Sequence, residues 1–230
     1  MNRRLLAVSA AALLAAGCAS VQKDLGMTGP TVDDLQVARL APDQLGQVNR
    51  MRTQVSQADQ QVSRAEVGVR DAHNELNAAQ AQSKVVDQQI SAINARIKAS
   101  TEARDQQAEM HARGDLNAAQ ARQQIEQARL VSAKSQVELA KAQKTYAERN
   151  LTLARAQLEN TKFEALKIAN DPAAGKYKPA DFQNAISKAE QSLSDAQRDV
   201  AAKQASYQAA FQSWQRVQQR LTAASRPPPG

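Results

Sequence analysis

The only thiol in this 230-residue chain belongs to Cys18, and its surroundings restrict what it can do. It closes a segment built like an export signal. Arg3 and Arg4 give a positive start, an apolar stretch runs from Leu5 to Ala16, and Gly17 precedes the cysteine. About a dozen apolar residues fall short of the ~20 that a bilayer-spanning helix needs, so 1–17 reads as a removable leader. A lone cysteine in an exported chain has no internal disulfide partner. Cys18 therefore either has another role or is incidental to an ordinary secretory leader.

Leu14-Ala15-Ala16-Gly17-Cys18 resembles the lipobox of bacterial lipoproteins, with Ala15 standing where that family usually places Leu. The resemblance implies cleavage between Gly17 and Cys18, followed by acylation of the thiol and of the new amino group. A covalent lipid on Cys18 is then the only attached group expected, and no cofactor. One acyl chain holds a protein to a membrane only marginally, whereas two or more hold it stably; lipoproteins of this kind carry three. The next residue, Ala19, takes the place where an Asp retains enteric lipoproteins at the inner membrane. By resemblance, Ala19 directs the chain to the outer membrane of a Gram-negative cell, facing the periplasm.

The remaining residues with chemical potential do not assemble into a reactive set. His73 and His111 are far apart and lack metal-ligand spacing. No phosphate loop, nucleophile elbow or H-E-x-x-H pattern occurs. Carboxylates are scattered near Lys or Arg at helical spacing, as on a solvated, ion-paired face. No catalytic and no metal residues are expected, and the chain reads as a non-enzyme. Arg113-Gly114-Asp115 matches an integrin-recognition tripeptide by three letters, which chance explains.

Two features address partners instead. Tyr207, Phe211 and Trp214 recur at i, i+4 and i+7. They read either as the thick end of a helical core or as an aromatic docking stripe, because Trp and Tyr are enriched at interface hot spots. The stretch 141–178 carries eight Lys or Arg against four acidic residues. It reads as a solvated face, with contact to anionic lipid or cell-wall polymer as the alternative.

Composition limits what can position these residues. Aromatics are 3% of the chain, while Ala and Gln are abundant. Too few bulky side chains are present to fill a thick globular core, whereas Ala, Gln, Glu, Lys and Arg favour long helices. The formal charge of +7 falls to +5 without Arg3 and Arg4. Mixed signs, export and the lack of aromatic–basic interleaving argue against nucleic acid. After the leader, no segment is apolar enough to cross a membrane.

The expected fold class is all-α, with long antiparallel coiled-coil helices in an elongated three-helix up-down-up bundle. Residues 18–42 form the lipidated cysteine and a flexible tether, although a short helix around Val32–Leu40 also fits. The helical domain spans 43–225, with helices at about 43–112, 116–169 and 179–224. From Val48 to Ile97, apolar residues follow alternating steps of three and four for about seven heptads, the signature of a coiled coil. Bulky residues alternate with Ala from Val55 to Ala79, which suits closely approaching helices. The seam weakens between Ser100 and Gln124, where Arg104 and Gln107 hold apolar positions. Gly114 with Asp115 predicts the first turn near 112–115. That turn would place Ile97 opposite Leu130 or Val131, and Ile90 near Val137. A second seam runs from Leu130 to Ile168. Asn170–Pro179 predicts the second turn, and a third seam runs from Phe182 to Leu221. Arg226-Pro227-Pro228-Pro229-Gly230 reads as an extended tail over 226–230.

An Ala/Gln-rich helical body behind a lipobox resembles the coiled-coil envelope lipoproteins of Gram-negative bacteria. That resemblance implies a periplasmic spacer or scaffold, held to the membrane by lipid, with a protein partner or self-association through the heptad seams. Two alternatives remain. One is an accessory subunit or adaptor of a transport or secretion complex, docking around His111–Leu116; the other is a surface-exposed adhesin or stalk.

Overall fold

The computed structural model describes residues 29–224. The expectations for the leader, for Gly17, Cys18 and Ala19, and for the tail at 226–230 lie outside the described residues. Among the described residues there are four α-helices and one 3-10 turn. These are α1 (Asp34–Val37), α2 (Pro42–Glu102), α3 (Gln106–Ile168), the 3-10 turn (Pro172–Lys176) and α4 (Pro179–Ala224). No strand occurs among the described residues, so the chain is all-α there.

Helix starts and stops follow from local chemistry. Pro42 takes the first position of α2, where its fixed φ suits the helix and its missing N–H is not needed. Just before it, the Ala41 N–H donates to Gln44 Oε1 at 3.2 Å, half of a capping box. α2 ends in a Schellman arrangement: the Asp105 N–H reaches the Ser100 carbonyl and the Arg104 N–H reaches the Thr101 carbonyl, with Arg104 at φ 56°. Asp105 then caps α3, its Oδ1 accepting from the Ala108 N–H at 3.0 Å.

This corrects the first turn. The sequence predicts it at 112–115, but the chain reverses at Ala103–Asp105, and Gly114 lies inside α3. A glycine within a helix costs about 1 kcal/mol relative to Ala, which a 63-residue helix packed along its length absorbs. At Ser100–Asp105, by contrast, the freed Ser100 and Thr101 carbonyls and the Ala108 amide find partners. The pairing register moves with the turn. Asp87 accepts from Gln123, Glu75 pairs with Arg129, Glu66 with Lys144, and Gln61 with Asn150. Val137 accordingly packs with Ala72, not Ile90.

Two compact units share these helices, one comprising 29–52 with 152–189 and the other 53–151 with 190–224. The first holds the bulky core. Phe182, Leu166, Val32, Val37 and Val48 are its largest fully buried side chains. Phe163 stacks on Phe182 with centroids 4.9 Å apart, and Tyr177 closes on both rings. The expected tether is therefore corrected for 29–42. Val32, Val37 and Leu40 enter this core, and the short helix is the single turn α1, capped by Asp33. Gly29 is fixed by close approach, since a Cβ there would stand 2.9 Å from Ala185 Cβ.

The second unit packs on small side chains. Ala58, Ala72 and Ala79 of α2 are buried, as are Ala133, Ala140 and Ala147 of α3. From Val48 to Ile97, the seam positions are the half-buried or buried ones, and the residues between them, Glu75 excepted, are exposed. α3 differs: besides its predicted seam it buries Ser132, Leu139 and Ala142 as a second stripe, of which Ser132 lies beside Tyr207, Phe211 and Trp214 of α4. Ile168, assigned to the second seam, is 68% exposed because α3 ends there and the chain turns away.

A candidate docking cleft on the aromatic stripe

The helical repeat puts Tyr207, Phe211 and Trp214 on one face of α4, and in the structure they form a continuous ladder. Tyr207 and Phe211 have centroids 5.9 Å apart, and Phe211 meets Trp214 edge-on at 5.5 Å. None of the three is fully buried, so the ladder is not a closed core. It lines a cleft of about 340 Å³ whose other walls are Asp71 and Glu75 from α2 and Arg129 to Gln136 from α3.

The polar walls are organised by Arg129. Its guanidinium bridges to Glu75 across the helix pair at 2.6 Å and stands 3.9 Å from Glu126 on its own helix. The Trp214 indole N–H and Glu126 Oε2 are buried without a hydrogen-bond partner. An unmet buried donor at the edge of a half-open aromatic surface favours a ligand that brings carbonyl acceptors. The cleft offers ring faces, one indole donor, carboxylates and the Arg129 guanidinium to whatever it meets.

A second constellation, absent from the sequence reading, lies in the other unit. The Val32 N–H donates to Glu159 Oε2 at 2.7 Å. Lys162 Nζ lies 2.8 Å from Glu159 Oε1 and 3.0 Å from Asp34 Oδ1, and Arg52 reaches the same Asp34 oxygen at 3.0 Å. Glu159 and Lys162 are buried while Asp34 is largely exposed. Partial burial pushes the Asp34 carboxyl upward, but hydrogen bonds and charge from Lys162 and Arg52 outweigh it and hold its pKa below the ordinary value. The cluster fastens the segment before α1 to α3. Its signal in the sequence is an acid and a base at i, i+3, which is indistinguishable from a surface pair until the second stripe of α3 is known.

The basic stretch 141–178 does not behave as one cationic surface. Lys141 pairs with Glu138, Lys144 with Glu66 and Glu148, and Lys167 with Glu164, while Lys162 is buried. The Glu66 hydrogen bond holds Lys144 above the usual lysine pKa, and the Lys141 hydrogen bond holds Glu138 below the usual carboxylate pKa. His73 and His111 are exposed, and no cluster of three or more metal-ligating side chains occurs among the described residues. Arg113-Gly114-Asp115 sits within α3, with Arg113 paired to Glu109. No helix among the described residues is long and apolar enough to cross a membrane. No family model, curated protein or solved structure matches this chain.

Proposed function

We propose that this chain is a lipid-anchored, non-enzymatic spacer or scaffold of a Gram-negative outer membrane, held by acylated Cys18 and extending into the periplasm. The observation that carries the reading is how near the expected anchor the described, packed residues lie. Gly29 follows Cys18 by eleven positions and already packs against Ala185. Val32 is then tied to Glu159 and buried in the aromatic core. A load on the lipid would reach the helices through a segment fixed by both apolar burial and charge-assisted hydrogen bonds.

The proposed body is an elongated up-down-up bundle of α2, α3 and α4. Supporting it are the cross-helix pairs from Asp87–Gln123 to Gln61–Asn150, which run antiparallel, and the second buried stripe of α3. At 1.5 Å per residue the 61 residues of α2 span about 90 Å, a length suited to spacing. Fractionation with palmitate labelling tests the anchor. The native chain is expected in the outer-membrane fraction with label, and Cys18→Ala in the soluble fraction without it. Unchanged membrane association of Cys18→Ala overturns the anchoring reading.

One observation favours the adaptor reading as second choice. Trp214 lies beside Arg129–Gln136 of α3, and α4 ends ten residues later, whereas α3 reaches back another 23 residues to Gln106. The tip of the α2–α3 hairpin thus extends about 20 Å beyond α4. Its exposed Met110 and the turn at 103–105 replace His111–Leu116 as the contact to test. Membrane pull-downs with the native chain and with Met110→Asp decide it: a channel protein captured only by the native chain supports the adaptor, and none captured by either removes it.

A further inference from the structure

The aromatic cleft has a geometry that selects its occupant. From Tyr207 to Trp214 the ladder covers seven residues of helix, about 10 Å. Its rings lie in a row and not around a cage, so it suits an extended apolar strand. The buried Trp214 N–H needs an acceptor, and Asp71, exposed on the facing wall, offers a carboxylate to a cation. Proline-rich segments meet the first two demands: they offer ring faces and carbonyls, no competing N–H, and a preformed extended backbone that docks on aromatic-lined grooves. Three prolines span about 9 Å in that conformation, which is the length of the ladder.

This chain carries such a segment. Arg226 precedes Pro227, Pro228 and Pro229 directly after α4, supplying a cation and three prolines. The same chain cannot seat it fully. Trp214 lies ten residues of helix, about 15 Å, before Ala224. Doubling back at no more than about 3.3 Å per residue, Pro227–Pro229 would come level with Trp214 at best, and Phe211 and Tyr207 would stay uncovered. We propose that the Arg226–Pro229 segment of a second copy of this chain docks in the Tyr207–Phe211–Trp214 cleft, with its prolines on the rings and Arg226 toward Asp71. A small rotation of the indole lets its N–H donate to a proline carbonyl. The proposal does not depend on the lipid anchor, so either can fail alone.

Trp214 is the chain's only tryptophan, so its emission reports on this cleft without labelling. The test uses the chain carrying Cys18→Ala, alone and with Pro227→Ser, Pro228→Ser and Pro229→Ser added, beyond the end of α4. Emission and sedimentation mass are followed over a dilution series. The chain with native prolines is expected to show a blue shift that rises with concentration together with dimer mass. The triple-serine variant should need at least about tenfold more protein for both changes, and free Arg-Pro-Pro-Pro-Gly peptide should restore its blue shift without dimer mass. Asp71→Asn should weaken association up to about fivefold, as for an exposed ion pair. Identical behaviour of the two chains overturns the proposal, as does a shift independent of concentration, which would mean the segment occupies its own cleft. Failure of the peptide to shift the emission overturns it too.

Discussion

The two connections between long helices use the same backbone device in different settings. After α2, Arg104 takes the left-handed conformation at φ 56° and Asp105 caps α3. After α3, Asn170 does so at φ 53° and Asp171 caps the 3-10 turn, accepting from the Ala173 N–H at 2.8 Å. In each, two backbone hydrogen bonds of the same spacing close the helix end. The settings diverge from there. The second connection is built into an aromatic core through Tyr177, Phe163 and Phe182, whereas the residues of the first, 101–107, are all exposed. One turn is held by what it packs against, the other by hydrogen bonding alone. Loss of tertiary contacts should therefore damage the second connection, and changes in local backbone preference should act most plainly at the first.

Phe182→Ala should break the comparison most severely. Truncating a fully buried, stacked ring costs about 3–5 kcal/mol. Chemical denaturation followed by hydrogen exchange should show that loss, with protection falling at 29–40 and 163–182 before 87–123. Glu159→Ala comes next. It removes the acceptor of the Val32 N–H and one of the two acids paired with buried Lys162, at a cost of about 2–3 kcal/mol. Exchange at the Val32 amide should quicken, and unchanged exchange there would show that apolar packing alone holds the segment.

The caps sharpen the comparison on a smaller scale. Asp105→Ala should cost about 1 kcal/mol and fray the start of α3, while Asp171→Ala, with the aromatic core still in place, should shift melting less. Arg104→Gly should stabilise the chain by up to about 1 kcal/mol, since glycine adopts the left-handed region without strain. Asn170→Gly should gain less, because Asn already tolerates that conformation. Equal gains in thermal melts would mean that side-chain strain does not distinguish the two turns.

The smallest effect is titration of Asp34. Its folded pKa lies below the unfolded one, so its contribution is complete above the ordinary carboxylate pKa of about 3.9. It is lost as pH falls through the lowered folded value. The exposure of Asp34 keeps the effect modest. Limited proteolysis at residues 29–33 should accelerate at low pH in the native chain, while Asp34→Asn should be cut at a rate that changes less with pH.

Much of the fold was legible as periodicity. The seam from Val48 to Ile97 marks the face that α2 turns from solvent, and Pro42 and Pro179 mark helix starts, because these features depend on residues close in sequence. The first turn was misread for a physical reason. Gly114 is the stronger local breaker, but a helix end is favoured where freed backbone groups find partners, as the Ser100 and Thr101 carbonyls and the Ala108 amide do at this turn. The weakened seam at Arg104 and Gln107 was the truer signal. In the cleft, the spacing of Tyr207, Phe211 and Trp214 was visible, yet its facing wall was not, since Asp71 and Arg129 meet only once the register is known.

By itself, then, the sequence determined that this chain is helical and where its stripes lie, because helix propensity and heptad spacing act over a few residues. Tertiary structure alone decided which turn closes the first hairpin, and so which residues oppose one another. It also decided that Val32, Asp34, Glu159 and Lys162 meet, although more than a hundred residues separate the first pair from the second. Local preference is degenerate along an alanine-rich heptad. The register that buries the bulky residues and satisfies the charges near them is a property of the whole packed set.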